Sequence, residues 1–381
     1  MCKLLKLKCD KCSSTVLLDR WMWRHECGGT LTYEVDLSTV KVSYDEWAKR
    51  KPSIARYREL LPPIPFDSIS VGEGCTPIVE ESIGEFNVYF KLEYLSPTGS
   101  FKDRGSVLAV SLIKTIHPKG ILVEDSSGNA GISVATYSMR AGLRAVIFVP
   151  SDAPEGKKAL LKSLGATLVE VEGGRDVVRR KAIEFSESSE NRHYVGHNWN
   201  PFFIEGIKTI AFEIAEYFKG KIPDYVVALA GSGTLLLGIY KGFRELLELN
   251  LIEKMPSIIA VQASGYDYLC RVIGGRRKNV SCSVLADGIR VPEPPRLGQM
   301  AEAVRESGGF CVVVEDKEII KALKFLVRRG FIVEPTSAAA LAGLWKAREE
   351  GLLPGGTSVV VPLTGSGLKM SSKIASIVQT S

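Results

Sequence analysis

The sequence predicts an α/β fold with two parallel-sheet domains and a small ribbon-like extension at the N-terminus. Three observations carry that reading. Short, continuous apolar runs alternate with amphipathic helical patterns from Val88 to the C-terminus, the signature of strands buried on both faces by crossover helices. The length, 381 residues, suits two sheets better than one. Four of the eight cysteines fall within the first 27 residues, two of them as a Cys-x-x-Cys knuckle.

The extension comes first. Cys9 and Cys12 form the knuckle, and His25, Cys27, Gly28 and Gly29 form a second turn. This is similar to a zinc ribbon in which Arg24 stands where a cysteine is expected. A tetrahedral structural site takes four ligands, so Cys9, Cys12 and Cys27 need a fourth from His25 or Cys2. The alternative is a ribbon held by packing alone. Residues 62–77, rich in Pro and Gly, read as a connecting loop. Strands are then predicted at Val88–Leu92, Ile121–Glu124, Ala145–Val149, Thr167–Val171, Tyr225–Ala230, Ile258–Gln262 and Ser358–Pro362. Helical patterns occupy Lys157–Leu164, Asp176–Ser186, Gly206–Phe218 and Leu235–Leu247.

Composition excludes several classes. The hydrophobic share of 45% and charged share of 24% are those of a globular protein. The net charge of +6 is spread along the chain without basic runs interleaved with aromatics, which argues against nucleic-acid binding. No apolar run approaches the roughly 18 residues needed to cross a bilayer, and MCKLLKLKCDKC is too polar for a signal peptide. The sequence reads as a cytoplasmic protein without a membrane partner.

Ligands of parallel α/β sheets bind beyond the carboxyl ends of the strands, so the strand-to-helix turns matter most. In Ser96-Pro97-Thr98-Gly99-Ser100-Phe101-Lys102-Asp103, Ser100 reads as an N-cap with Asp103 completing a capping box. Lys102 then lies in the first helical turn, where the helix dipole disfavours a protonated amine and so favours a nucleophile. The bland alternative is a surface lysine on a helix start. Ser126-Ser127-Gly128-Asn129-Ala130-Gly131 follows the strand Ile121–Glu124 and suits a carboxylate held by backbone N–H groups, or is an ordinary glycine-rich turn. Gly231-Ser232-Gly233-Thr234 suits a monophosphate. Leu236 occupies the third glycine position of the dinucleotide fingerprint, which counts against a nicotinamide-dependent dehydrogenase, and no Gly-Lys-Ser/Thr follows. A last strand ends in Leu363-Thr364-Gly365-Ser366-Gly367. An amine, a carboxylate nest, a monophosphate nest and a neutral hydroxyl form the set required by pyridoxal 5'-phosphate (PLP).

Pro97-Thr98-Gly99-Ser100-Phe101-Lys102-Asp103-Arg104-Gly105 resembles the cofactor-lysine motif of the threonine synthase family, in the fold-type II group of PLP enzymes. Blocks at Glu205-Gly206, Tyr240-Lys241-Gly242-Phe243, Glu334–Ala339 and Leu363–Lys369 are similar to family blocks in the same order, so the resemblance covers nearly the whole chain. It implies that Lys102 carries the cofactor as a Schiff base and moves protons. It further implies that Asn129 meets the cofactor's 3'-oxygen, that Gly231, Ser232, Gly233 and Thr234 hold its phosphate, and that Thr364 meets its ring nitrogen. Ser126, Ser127, Gly128 and Ala130 would line the substrate carboxylate.

The resemblance also implies a layout: an extension at 1–40, a large PLP-binding domain from 41–104 and 201–381, and a small α/β domain inserted at 105–200. The expected activity is that of a lyase of amino-acid biosynthesis, taking O-phospho-L-homoserine and water to L-threonine and phosphate, in a symmetric homodimer. The chain departs from the family at two positions. Asn198 stands for a serine and Phe203 for an arginine that contact the substrate phosphate, and a ring cannot replace a bidentate guanidinium. Lys157, Lys158, Arg175 and Lys208 are the cations available to replace it. A serine or threonine dehydratase, or another β-elimination or replacement enzyme, gains from that loss. A non-catalytic paralogue is disfavoured by the intact lysine and phosphate loops.

Overall fold

The computed structural model describes residues 5–18, 20–274 and 281–379; Cys2 lies outside them. The chain opens with strands β1 (Leu5–Cys9), β2 (Thr15–Leu18) and β3 (Leu31–Tyr33), a short helix α1 (Tyr44–Ala48), and strands β4 (Ile78–Ile83) and β5 (Phe86–Lys91). Alternation then begins: α2 (Lys102–Ile116), β6 (Ile121–Glu124), α3 (Asn129–Arg140), β7 (Arg144–Pro150), α4 (Glu155–Ser163), β8 (Thr167–Val171), α5 (Arg175–Glu187), β9 (Arg192–Tyr194), α6 (Pro201–Ile207) and α7 (Thr209–Tyr217). It continues through β10 (Tyr225–Leu229), α8 (Thr234–Glu248), β11 (Ser257–Ala263), α9 (Tyr268–Val272), α10 (Leu297–Glu306), β12 (Phe310–Val314), α11 (Asp316–Arg328), α12 (Pro335–Glu349), β13 (Ser358–Pro362) and α13 (Ser371–Gln379).

The chain divides into two compact units. One comprises 1–42, 49–74 and 102–207; the other comprises 43–48, 75–101 and 208–381. The first unit holds an antiparallel ribbon, β2-β1-β3, and a fully parallel sheet, β8-β7-β6-β9. Trp23 from the ribbon joins Val123, Val146, Phe148, Val178, Ala182 and Tyr194 in one buried cluster. The ribbon is thereby part of this unit's core. The second unit holds the sheet β12-β11-β10-β13-β5-β4, parallel except for the edge strand β4, which pairs antiparallel with β5. Its central strands are apolar on both faces: Val226 to Ala228, Ile259 to Val261 and Val359 to Val361 are wholly buried.

The structure thus has the parallel α/β sheets of the fold-type II class, and each predicted strand is present within a residue or two at its ends. Two local expectations are corrected. The helical pattern Gly206–Phe218 is broken at Lys208, between α6 and α7. Its apolar period runs on unbroken, so hydrophobicity hides the break. Lys208 itself keeps helical dihedrals, φ −59° and ψ −22°, and its carbonyl packs so close to Gly242 of α8 that a Cβ there would sit 2.5 Å from it. Ser100 does not cap α2. It forms a β-bridge with Gly365, its buried hydroxyl has no hydrogen-bond partner among the described residues, and the helix starts two residues later at Lys102. A disulfide, Cys270–Cys311, ties α9 to β12 with 5.2 Å between Cα atoms, a pairing that cysteines 41 residues apart do not announce.

Candidate active site

In the first unit Lys102 is the first residue of α2 and is buried, 9% exposed, which removes the surface-lysine alternative. The next residue, Asp103, is wholly buried and accepts a hydrogen bond from Ser133 Oγ of α3 at 2.6 Å. Ser133 also meets Ser106 Oγ at 2.7 Å, so α2 and α3 are joined by a polar rivet within a turn of Lys102. On another side α2 packs on α6. Gly105 lies against the Phe203 ring, and Gly206 admits the Arg104 carbonyl so closely that a Cβ at either glycine would overlap its neighbour. Phe203 is fully buried there. It fills the interface and presents no cation.

The turn Ser126 to Gly128 leaves β6 and leads into α3 at Asn129. The Gly128 N–H donates to Ser126 Oγ at 3.2 Å, and Gly131 lies under the Ser126 carbonyl where no side chain fits. Ser126, Ser127, Gly128 and Asn129 are only partly buried, while Ala130 is buried, so the turn offers polar groups at a surface backed by a dry helix. Among the described residues no side chain caps the N-terminus of α3, the end of a helix that favours an anion.

Sequence reasoning missed a cluster beside this turn. Glu124 closes β6, is fully buried, and its Oε1 lies 2.8 Å from His197 Nδ1; its Oε2 has no hydrogen-bond partner among the described residues. Burial pushes Glu124 up to about 7, against the opposing charge of Lys102. Burial likewise holds His197 well below the usual histidine range, with Lys102 and then Arg175 repelling a proton from it. Asp125 is raised to about 6 by burial and by Glu124, and it accepts from the Tyr194 hydroxyl at 2.9 Å. An acid ending the apolar run Ile121-Leu122-Val123 at a carboxyl end was the available signal.

Glu124 has a testable consequence. Its folded pKa lies above the ordinary 4.5, so between that value and about 7 the folded protein keeps a proton that the unfolded chain gives up. Stability therefore falls as pH rises through this window, by on the order of 3 kcal/mol in all. His197 acts oppositely, costing stability as pH falls below the usual histidine value. Glu124→Gln is expected to flatten the loss of melting temperature from pH 5 to pH 8 while leaving the acid-side loss; an unchanged pH profile would refute this.

In the second unit three loops leave the carboxyl ends of neighbouring parallel strands, β10, β13 and β5. Strand spacing places them within about 10 Å of one another. Gly231, Ser232 and Gly233 lead from β10 into α8, whose first residue is Thr234. Gly233 has φ +99°, and α8 carries no side-chain cap. A Cβ at Gly231 would sit 2.9 Å from Ile289 Cα and 3.0 Å from the Gly288 carbonyl. Ser232 and Thr234 are buried. Glycines without room for side chains, two hydroxyls and an uncapped 15-residue helix make a nest that fits a phosphate.

Thr364 follows β13 and is 2% exposed. Its N–H donates to the buried Ser337 Oγ at 2.8 Å, and its carbonyl accepts from Phe101, the residue before Lys102, at 3.2 Å. Thr364 is thus fixed to Phe101 within this unit, and its side chain offers a neutral hydroxyl. Ser337 lies in the Glu334–Ala339 block, where nothing in the sequence marks it as the group that orients Thr364.

Of the cations expected in place of the missing arginine, Lys157 is half-buried on α4, and the others divide clearly. Lys208 is wholly buried in an ion pair with Glu245 at 2.9 Å, and Lys158 is paired with Glu170 at 2.9 Å and with Glu155. Arg175, exposed at the first position of α5, and Arg179, one turn further, make no ion pair among the described residues. Arg175 is within electrostatic reach of His197, and Arg179 of Asp125.

A family model described as pyridoxal-phosphate dependent enzyme matches residues 69–365, spanning both units. The chain is 34% identical over 383 residues to the threonine synthase of Methanocaldococcus jannaschii, covering 95% of this chain and 92% of that one. It is 32% identical over 375 residues to that of Methanosarcina acetivorans, with the same coverage. Among solved structures, the L-serine ammonia-lyase of Rhizomucor miehei superposes with a TM-score of 0.70 at 20% identity, covering 80% of this chain and 98% of that one, a likeness of fold.

Proposed function

The chain belongs to the threonine synthase family of PLP-dependent enzymes, a lyase family, and from that premise we propose that it converts O-phospho-L-homoserine and water to L-threonine and phosphate. Bound PLP supplies an electron sink for negative charge that develops on the amino acid's carbons. Lys102 would hold the cofactor's aldehyde end and carry protons to and from the substrate carbons. Asn129 would donate to the 3'-oxygen, and Gly231, Ser232, Gly233 and Thr234 would bind the phosphate. Thr364 would meet the ring nitrogen, and Ser126, Ser127, Gly128 and Ala130 would receive the substrate carboxylate at the N-terminus of α3. A cytoplasmic homodimer completes the reading.

The observation that supports a phosphorylated substrate is the pair Arg175 and Arg179. They lie at helical spacing on α5, without ion-pair partners among the described residues, and within electrostatic reach of the cluster beside the Asn129 turn. Two guanidiniums there replace in kind the cation that Phe203 cannot supply. The buried Phe203 is what favours a dehydratase instead.

One assay separates the two: phosphate and threonine from O-phosphohomoserine, against 2-oxobutyrate from threonine. The first activity is expected to dominate, and dominance of the second would overturn the proposal. Arg175→Ala is expected to raise KM for O-phosphohomoserine about 10- to 100-fold, as removal of a charge-assisted hydrogen bond would, with any turnover of unphosphorylated amino acids unchanged.

A further inference from the structure

Two tight turns of the ribbon bring four metal-ligating side chains together. In the first, Ser13 N–H donates to the Cys9 carbonyl and Cys9 N–H to the Ser14 carbonyl, both at 2.9 Å, with Ser13 at φ 60°. In the second, Gly28 N–H donates to the His25 carbonyl at 2.8 Å and His25 N–H to the Gly29 carbonyl at 3.0 Å. Between them the ligand atoms of Cys9, Cys12, His25 and Cys27 all lie within 4.8 Å of one another. Cys27 Sγ is 3.5 Å from both Cys9 Sγ and Cys12 Sγ, and His25 Nδ1 is 3.1 Å from Cys27 Sγ and 3.5 Å from Cys12 Sγ.

We propose that Cys9, Cys12, His25 and Cys27 bind one structural Zn(II) ion. A tetrahedron with Zn–S of about 2.3 Å and Zn–N of about 2.0 Å has edges of about 3.5–3.8 Å, close to the separations present. Sulfurs 3.5 Å apart are far beyond the roughly 2.05 Å of a disulfide. Packing alone does not account for the cluster, because Cys12 is exposed. Two further features fit an ion. His25 Nε2 lies 3.2 Å from Ser14 Oγ, an outer contact that turns Nδ1 toward the sulfurs. Gly29 lies where a Cβ would be 2.6 Å from Cys9 Sγ, so only glycine leaves that sulfur its place. Three soft thiolates with one imidazole in tetrahedral array select zinc. Arg24, at the position where a cysteine was expected, instead pairs with Glu187 at 3.1 Å and lies over the Trp23 ring, and the neighbouring His25 completes the set.

The ion would also have a mechanical effect. Trp21 and Trp23 lie four and two residues before His25. Trp21 Nε1 donates to the Tyr194 carbonyl at 2.9 Å, and the Trp23 ring meets Tyr194 at 4.9 Å and Trp199 at 5.3 Å. Fixing His25 and Cys27 pins both tryptophans against the segment carrying His197.

The test uses the full-length holoenzyme under reducing conditions. Metal analysis is expected to find about one zinc per chain. Cobalt replacement is expected to give the visible absorption of a tetrahedral Co(II)–thiolate centre, and chelation to change tryptophan emission. Cys12→Ser and His25→Ala are each expected to lose most of the bound zinc, with Cys282→Ser, at an exposed cysteine elsewhere, as the unaffected control. Should the variants fail to fold, the cobalt spectrum of the parent chain decides. A parent chain with less than about a tenth of an ion and no cobalt spectrum, or folded variants that keep zinc at the parent level, overturns the proposal.

Discussion

Lys102→Ala is expected to fold and to lose essentially all turnover, by at least about a thousandfold, because one amine supplies both the covalent anchor and the proton transfers. The substitution leaves the Cβ in place at the first position of α2, and the Asp103–Ser133–Ser106 hydrogen bonds that join α2 to α3 are untouched. Cofactor is expected to bind through the Gly231–Thr234 nest but not to be fixed to the chain by borohydride, and exogenous primary amine is expected to restore a fraction of activity. Removing the Lys102 charge also takes away what opposes burial at Glu124, so the Glu124 carboxyl is expected to titrate higher than about 7 in the variant. Lys369→Ala is the matched control. That ammonium is tied to the Thr98 and Gly99 carbonyls at 3.3 and 3.2 Å, and its removal is expected to cost little activity. If Lys102→Ala kept activity within tenfold of the parent, or borohydride still labelled it, the assignment of the cofactor lysine would fall.

The glycine and hydroxyl runs after Ile121–Glu124, Tyr225–Ala230 and Ser358–Pro362 were legible because a buried parallel strand is an uninterrupted apolar run, and small polar residues directly after it mark the carboxyl edge where ligands bind. What stayed hidden depends on contacts between distant residues. β9 is only Arg192-His193-Tyr194, too short and polar to register. Ser100 has the chemistry of a cap, but its bridge to Gly365 competes and wins. The division between α6 and α7 at Lys208 leaves no trace in the apolar pattern, and the partner of Glu124 is a histidine 73 residues away. The tetrahedral grouping at the ribbon was ambiguous because His25 and Cys2 were equal candidates by type, and only the fold brings His25 Nδ1 to the sulfurs. The cations near the substrate turn were ambiguous for the same reason: Lys158, Arg175 and Lys208 look alike until their ion pairs are known.

The nest at β10 allows a sharper separation between holding the cofactor and using it. Gly231 has backbone on its open side, Ile289 Cα and the Gly288 carbonyl, so an added methyl cannot be accommodated by rotating a side chain. Gly288 is itself tied through its N–H to Thr336 Oγ1 at 3.1 Å, and Thr336 to Asp287 at 3.2 Å, so the opposing turn resists retreat. Gly231→Ala must therefore displace the nest, and each N–H hydrogen bond to a dianionic phosphate is worth about 1.5–3 kcal/mol. The expected result is a cofactor Kd raised about 10- to 150-fold for each N–H that no longer reaches the phosphate. Saturating cofactor is expected to restore much of the turnover, which it cannot do for Lys102→Ala. Gly233→Ala should act similarly by a different route: its φ of +99° penalises any Cβ, while the clash there is only with the flexible Met300. Equilibrium dialysis of cofactor against both variants provides the measurement. Parent-like affinity in Gly231→Ala would mean that the phosphate binds elsewhere, and the role given to Gly231–Thr234 would have to be withdrawn even with Lys102 intact.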